Sequence, residues 1–265
     1  MQQKQTPDGF PYLQFESLAP NSRLAHAIFT RQGGVSPDPF NSLNLSVSVP
    51  DSKENVYANR RIAYGIFGRD TETAVHAHLV HGNDVVRVTS TNNGTWSKGD
   101  GLITNEVGCA LTMNFADCGS VFLYDPDQHA IGLGHAGWKG AVNDLPGAMV
   151  QAMVATFGSQ PANLIAALGP SIGACCYEVD EPVISQVRAA CVEPETLLVD
   201  GPETKKNGRP YFDLPEANRR NLQRAGVGQI EMPGLCTGCR TDLFFSHRVE
   251  RGKTGRFGSM FILNA

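Results

Sequence analysis

Three features of this 265-residue chain predict an α/β fold with mixed sheets. Short apolar runs bounded by Asp, Pro and Gly read as strands, several of them joined by turns. Segments with apolar residues at helical spacing and capping residues in front of them lie between those strands. No internal repeat or low-complexity tract marks a clean linker, and the length suffices for one large domain or two small ones.

Phe10 to Phe29 reads as two short strands with a turn at Ala19-Pro20-Asn21-Ser22. The Thr30–Ser36 stretch is a glycine loop, where Gly33-Gly34 permits a sharp turn or close backbone approach. A helix is predicted from Asp51, with Glu54 three positions on as a variant capping box. Val56, Asn59, Ile62, Ala63 and Ile66 mark its apolar face, and Gly68 ends it. Asn59-Arg60-Arg61 is read as a solvated turn of this helix. In the strand that follows, His76 and His78 share one face and are expected to be ordinary strand histidines. His81 falls on the opposite parity unless the strand ends before it. It adjoins Gly82 at a strand-to-loop junction, where functional side chains are commonly presented. Asp84 to Thr89 is a further strand, and Gly99-Asp100-Gly101 turns into the next.

The stretch from Ala110 to Gly140 organises the chain. One apolar run reaches Asp117-Cys118. Val121–Tyr124 and Ala130–Gly134 flank a turn at Asp125-Pro126-Asp127-Gln128. A hairpin centred near Asp127 sets Cys118 and His135 roughly opposite each other, within about 5 Å at Cα. A thiol beside an imidazole makes either a nucleophile–base pair or two metal ligands. Ala136-Gly137-Trp138-Lys139-Gly140 then opens a helix expected to run to Phe157, with Gly158 as terminator. Its N-terminus would offer backbone N–H groups to a phosphate or another anion.

Ile165 to Leu168 is a short buried strand leading into the Gly169–Val179 segment. Helices follow, one capped by Asp180 with Pro182 in its first turn, one capped by Asp213 and ending near Gly226. Asp200 to Arg209 reads as an exposed loop. Cys236-Thr237-Gly238-Cys239 is a C-x-x-C pair, which binds zinc or cycles redox chemistry. A structural zinc needs two further ligands, and no second pair at fitting spacing is evident, so a metal is not expected here.

Composition excludes several classes of function. A hydrophobic fraction of 41% supports a substantial core, and the net charge of −4 favours neither nucleic acid nor an anionic membrane surface. The opening stretch MQQKQTPDGFPY has no signal-peptide core, and no apolar run is long enough to span a membrane, so a cytoplasmic protein is expected. The seven cysteines are then core residues or ligands rather than a disulfide framework.

Taken together, the motifs resemble the YfiH family, also described as bacterial polyphenol-oxidase or laccase-like proteins and as zinc-dependent purine nucleoside enzymes. The motifs are Thr30-Arg31-Gln32-Gly33-Gly34-Val35-Ser36, Ser42-Leu43-Asn44-Leu45, Val80-His81-Gly82, Ala116-Asp117-Cys118 and His135-Ala136-Gly137-Trp138-Lys139-Gly140. They continue with Gly169-Pro170-Ser171-Ile172, Cys176-Tyr177-Glu178-Val179 and Phe244-Phe245-Ser246-His247-Arg248. Departures from the family pattern are Leu79 for Gln, Gly119-Ser120 for a Pro-containing segment, Lys139 for Arg and His247 for Tyr.

The resemblance implies a single domain, residues 1–265, of α/β/β/α layers. It also implies a zinc held by His81, Cys118 and His135, the residues that would also carry catalysis. It implies phosphorolysis of adenosine, inosine, guanosine and methylthioadenosine, and hydrolytic deamination of adenosine. Two imidazoles and a thiolate would leave zinc a fourth, open position, the pattern of a catalytic site. Arg31, Asn44 and Lys139 are candidates for substrate contacts. The expected partners are a small-molecule nucleoside and phosphate, with no nucleic acid and no membrane, and the chain is expected to be a monomer. The rivals are a copper (Cu2+) polyphenol oxidase, a metal-free hydrolase using Cys118 with His135, and a non-catalytic factor in cell-wall quality control. The single His-x-His pair, His76-x-His78, argues against a multicopper electron path.

Overall fold

The computed structural model describes residues 1–6 and 9–265; Pro7 and Asp8, inside the opening stretch read for a signal peptide, lie outside the described residues. The first strands are β1 (Gln2–Gln5), β2 (Pro11–Gln14), β3 (Leu24–Phe29), β4 (Val75–His78), β5 (Val85–Arg87), β6 (Trp96–Lys98), β7 (Gly101–Thr104) and β8 (Ala110–Phe115). The later ones are β9 (Gly119–Asp125), β10 (Ala130–Ala136), β11 (Ile165–Leu168), β12 (Leu198–Val199), β13 (Tyr211–Phe212), β14 (Gln229–Glu231) and β15 (Phe257–Leu263). The helices are α1 (Lys53–Gly65), α2 (Trp138–Val142), α3 (Leu145–Phe157), α4 (Glu181–Ala190), α5 (Thr204–Asn207) and α6 (Leu214–Arg224).

Two mixed sheets form, ordered β1-β2-β3-β15-β8-β4-β6 and β14-β11-β9-β10-β7-β5. They face each other across one core, where Ile28, Phe115, Phe257 and Phe261 of the first meet Leu102, Phe122, Ile131 and Leu133 of the second. Successive side chains point to opposite faces, so Val121 and Leu123 pack outward onto Met149, Val150 and Met153 of α3 and Leu222 of α6. On the far side, Ala27, Phe29, Met260 and Ile262 pack against Ala63 and Tyr64 of α1. The layers are therefore α/β/β/α. Because both faces of β9 and β10 are covered, every residue in them is buried, and they read as continuous apolar runs rather than alternating ones.

Several local expectations are corrected. Ser52, not Asp51, caps α1, its hydroxyl accepting the N–H of Asn55 at 3.1 Å. Asp51 instead accepts from Ser36 and Asn44, tying the loop before the helix to it. Asn59 and Arg60 are buried rather than solvated: Asn59 bonds the backbone of residues 35, 42 and 44, and Arg60 donates to Leu45 O at 2.9 Å. The helix expected over 136–157 is two helices. Asp144 takes a left-handed conformation (φ 57°) between them and caps α3, with Pro146 in its first turn. Gly158 ends α3 as expected (φ 76°). The 200–209 segment contains the single turn α5.

The central hairpin forms with its register moved by two. Asp125 still pairs, with Ala130, and its carboxylate accepts the N–H groups of Asp127 and Gln128 while His129 turns back at φ 47°. His135 lies opposite Ser120, and Cys118, one residue beyond the last pair Ala136↔Gly119, faces Gly137. A shift of two conserves the face, because side-chain direction repeats every second residue.

Candidate metal centre

The sulfur of Cys118 and one ring nitrogen each of His81 and His135 lie within 4.8 Å of one another. Each arrives by a different route. Cys118 leaves the end of β8 after Asp117, which is held in a left-handed conformation (φ 83°). That conformation is fixed from several sides. Thr237 Oγ1 and the Arg248 N–H each donate to the Asp117 carboxylate at 2.7 Å, and the Ile172 N–H donates to its carbonyl at 2.9 Å. His135 sits near the end of β10, stacked on Phe115 at 5.5 Å between centroids. His81 lies beyond β4, which ends at His78, so the strand parity that would have turned it away does not apply. It too has a left-handed backbone (φ 59°), and its ring meets that of His135 edge-on at 5.1 Å.

Asp100, which the sequence reading treated as part of a turn, organises both histidines. Its fully buried carboxylate accepts the N–H groups of Val80, His81 and Gly82 at 3.1, 3.0 and 2.8 Å, which fixes the turn carrying His81. The same carboxylate meets His135 Nδ1 at 3.2 Å. Holding Nδ1 leaves Nε2 for a ligand, the carboxylate–histidine arrangement usual behind metal-binding imidazoles. Burial alone would raise the Asp100 carboxyl, but His135 and the backbone N–H groups outweigh it and hold it below the usual carboxylate range. The only trace in the sequence is a carboxylate between two glycines, Gly99-Asp100-Gly101.

Burial likewise opposes ionisation of Cys118 and His135, and their mutual attraction overrides it. The charge of His135, with hydrogen bonds from His135 and His81, pulls the Cys118 thiol down. The Cys118 thiolate and the Asp100 carboxylate push His135 up. The protein thus stabilises a thiolate at Cys118. A Cβ on Gly137 would stand 2.6 Å from that sulfur, so residue 137 leaves the space the thiolate occupies. One soft thiolate, two imidazoles and a carboxylate behind them suit a metal ion.

The trio forms part of the wall of a cavity of about 670 Å3. Trp96, Trp138 and Tyr177 supply aromatic faces, and Asn114, Arg248 and Arg256 supply polar groups. The Arg248 guanidinium lies over the Tyr177 ring at 4.9 Å. Arg248 and Arg256 have no carboxylate within ion-pair distance among the described residues. Asn114 Oδ1 is buried without a partner there.

The candidates for substrate contact lie elsewhere. Arg31 does not line the cavity; it donates to Asn41 O, Thr241 O and Glu250 and stacks on Phe245. Asn44 is buried and acts at one remove, its Oδ1 accepting the backbone N–H of Arg256 at 2.9 Å. Lys139 is exposed beside the Trp138 ring, outside the cavity lining. His76 is a core histidine, bonded to Thr112 and Thr71 O and stacked on Trp96. The helix expected to bind an anion at its start is only the five-residue α2. Sequence reasoning passed over Asp100, Asn114 and Arg256 because each is polar and unremarkable until burial gives it a role.

Residues 25–264 match the family model described as multi-copper polyphenol oxidoreductase laccase. The crystal structure of a Bacillus licheniformis protein titled YfiH superposes with a TM-score of 0.86 at 37% identity, covering 91% of this chain and 93% of that one. The chain belongs to the YfiH family. Within it, a Bacillus subtilis relative named purine nucleoside phosphorylase YlmD is 37% identical over 90% of this chain and 88% of its own length. A Deinococcus radiodurans relative, also named purine nucleoside phosphorylase, is 38% identical over 95% of this chain and 92% of its own. Among the described residues, no helix is long and apolar enough to cross a membrane.

Proposed function

We propose that the chain is a purine nucleoside phosphorylase of the YfiH family, acting on adenosine, inosine, guanosine and methylthioadenosine, with a zinc ion held by His81, Cys118 and His135. The convergence of one thiolate and two imidazoles on the wall of a cavity that also carries two guanidiniums, each bonded to backbone carbonyls but with no carboxylate partner among the described residues, supports this reading most strongly. The names of the Bacillus and Deinococcus relatives point the same way.

In phosphorolysis a phosphate oxygen bonds to C1′ of the ribose as the C1′–N9 bond breaks. The base leaves with the electron pair and takes up a proton. Arg248 and Arg256 hold the phosphate as charge-assisted donors. Trp96, Trp138 and Tyr177 offer faces for the base. Asn114 Oδ1, buried without a partner among the described residues, accepts an N–H or O–H of the nucleoside. Asp100 fixes the turn of His81 and the tautomer of His135. His81, Cys118 and His135 would hold the zinc ion, which when bound would supply a Lewis acid. Hydrolytic deamination of adenosine belongs to the same reading: water adds at C6, the C6–N6 bond breaks and ammonia leaves.

The test is incubation of purified protein with adenosine or inosine, with and without phosphate, separating bases and sugars by chromatography. Phosphate-dependent release of adenine or hypoxanthine with ribose 1-phosphate is expected. No base release by zinc-loaded protein overturns the reading. Full activity in metal-depleted protein with a substrate adduct on Cys118 replaces it with the cysteine hydrolase. Copper with phenol oxidation replaces it with the polyphenol oxidase, though His76 of the His-x-His pair is already committed within the core.

A further inference from the structure

The C-x-x-C pair that looked unpartnered in the sequence has partners in space. Cys175 and Cys176 on the loop after β11 meet Cys236 and Cys239 on the loop after β14, and the four sulfurs lie within 4.8 Å of one another. Cys175 and Cys239 are 3.2 Å apart at sulfur, Cys176 and Cys239 3.4 Å, and all four thiols are free. A tetrahedral ion with sulfur at about 2.3 Å sets its ligands about 3.8 Å apart, so small movements close the shell. The spacing leaves room for one ion among the sulfurs.

Backbone groups also converge on the cluster. The N–H of Gly173 donates to Cys236 Sγ at 3.2 Å, and those of Gly238 and Cys239 point at the same sulfur. A Cβ on Gly238 would come within 2.9 Å of Cys176 Cβ and 3.1 Å of its sulfur, so only glycine leaves the space. The two loops are already drawn together by the Thr237 N–H donating to Ser171 O at 3.1 Å.

We propose that Cys175, Cys176, Cys236 and Cys239 bind one zinc ion as a closed, structural tetrathiolate centre. Four thiolates fill the coordination shell and leave no position for substrate, which makes the centre a cross-link rather than a second catalytic site. What it cross-links is the cavity wall. Tyr177 follows Cys176 directly, and Thr237, next to Cys236, holds the Asp117 carboxylate beside Cys118.

The test measures zinc per chain in purified full-length protein, using Cys118→Ala to remove the cavity site. That variant is expected to retain about one zinc, and adding Cys236→Ser and Cys239→Ser should remove it. Cobalt(II) loaded into Cys118→Ala should show tetrahedral visible bands and strong sulfur-to-metal charge transfer. Should the triple variant fail to fold, alkylation of native Cys118→Ala, counted by mass, should differ by four thiols between the zinc-loaded and zinc-stripped forms. Cys118→Ala protein without zinc, with iron instead, or with a disulfide among these four cysteines overturns the proposal. The cavity zinc is read separately, as the difference between wild type and Cys118→Ala.

Discussion

Two groups of cysteine sulfur in this chain sit in opposite settings. Cys118 shares its site with two histidines, backed by a buried carboxylate, on the wall of a cavity. The cluster of Cys175, Cys176, Cys236 and Cys239 brings four sulfurs together on two loops, with Cys175 and Cys239 exposed. The first set offers three donors, which on the proposed reading would leave a metal one position for substrate; the second offers four, which would fill the shell. Ligand number, more than ligand type, separates a site that does chemistry from one that holds loops in place.

The sharpest way to break this comparison is to remove a ligand from the open site. Cys118→Ala and His81→Ala are each expected to lose the cavity zinc and to lower phosphorolysis and deamination at least about 100-fold, beyond the loss usual for an outer partner. Chelator-treated wild type should behave likewise until zinc is restored. Metal content and product formation on the same samples check it; a metal-free variant with wild-type turnover would refute it.

Asp100→Asn comes next. The amide still approaches His135 but carries no charge, and it accepts the three N–H groups of the His81 turn less well. Zinc affinity, measured by competition with a chromogenic chelator, should fall about 10- to 100-fold. Affinity unchanged from wild type would mean that Asp100 only packs.

Gly137→Ala tests the space around the sulfur. Its Cβ would stand 2.6 Å from Cys118 Sγ, so either the thiolate or the start of α2 must shift. A loss of about tenfold in zinc affinity is expected, with the zinc of the tetrathiolate cluster unaffected.

A last test, on stability rather than on metal or activity, concerns the packing histidines. Burial lowers His26 and His76 to about 4 in the folded chain. The unfolded chain therefore binds more protons between about pH 4 and 6.5, so this stability is complete above 6.5 and declines as the pH falls toward 4. Each histidine contributes at most about 3 kcal/mol, and His76→Gln should flatten the slope of the urea midpoint against pH over that interval. An unchanged slope would mean that His76 is charged in the fold.

The sequence by itself determined many of the longer strands and helices, because period and end signals are local, while short pieces such as β1, β6, β12–β14 and α5 carried too few residues for such a signal. The apolar runs of β9 and β10, the Asp213 and Gly158 caps and the α/β class could all be read in advance. It also determined that Cys118 and His135 share a face, since a hairpin miscounted by two residues keeps side-chain direction. Three decisions belonged to the tertiary structure alone. Burial turned Asn59 and Arg60 from surface residues into loop anchors, and Asp100 from a turn residue into the partner of His135. The left-handed break at Asp144 cut one expected helix into two. The cysteine cluster joins residues about sixty positions apart on separate loops, so no local spacing carries its signal. Its geometry exists only once β11 and β14 lie side by side in one sheet and bring those loops together.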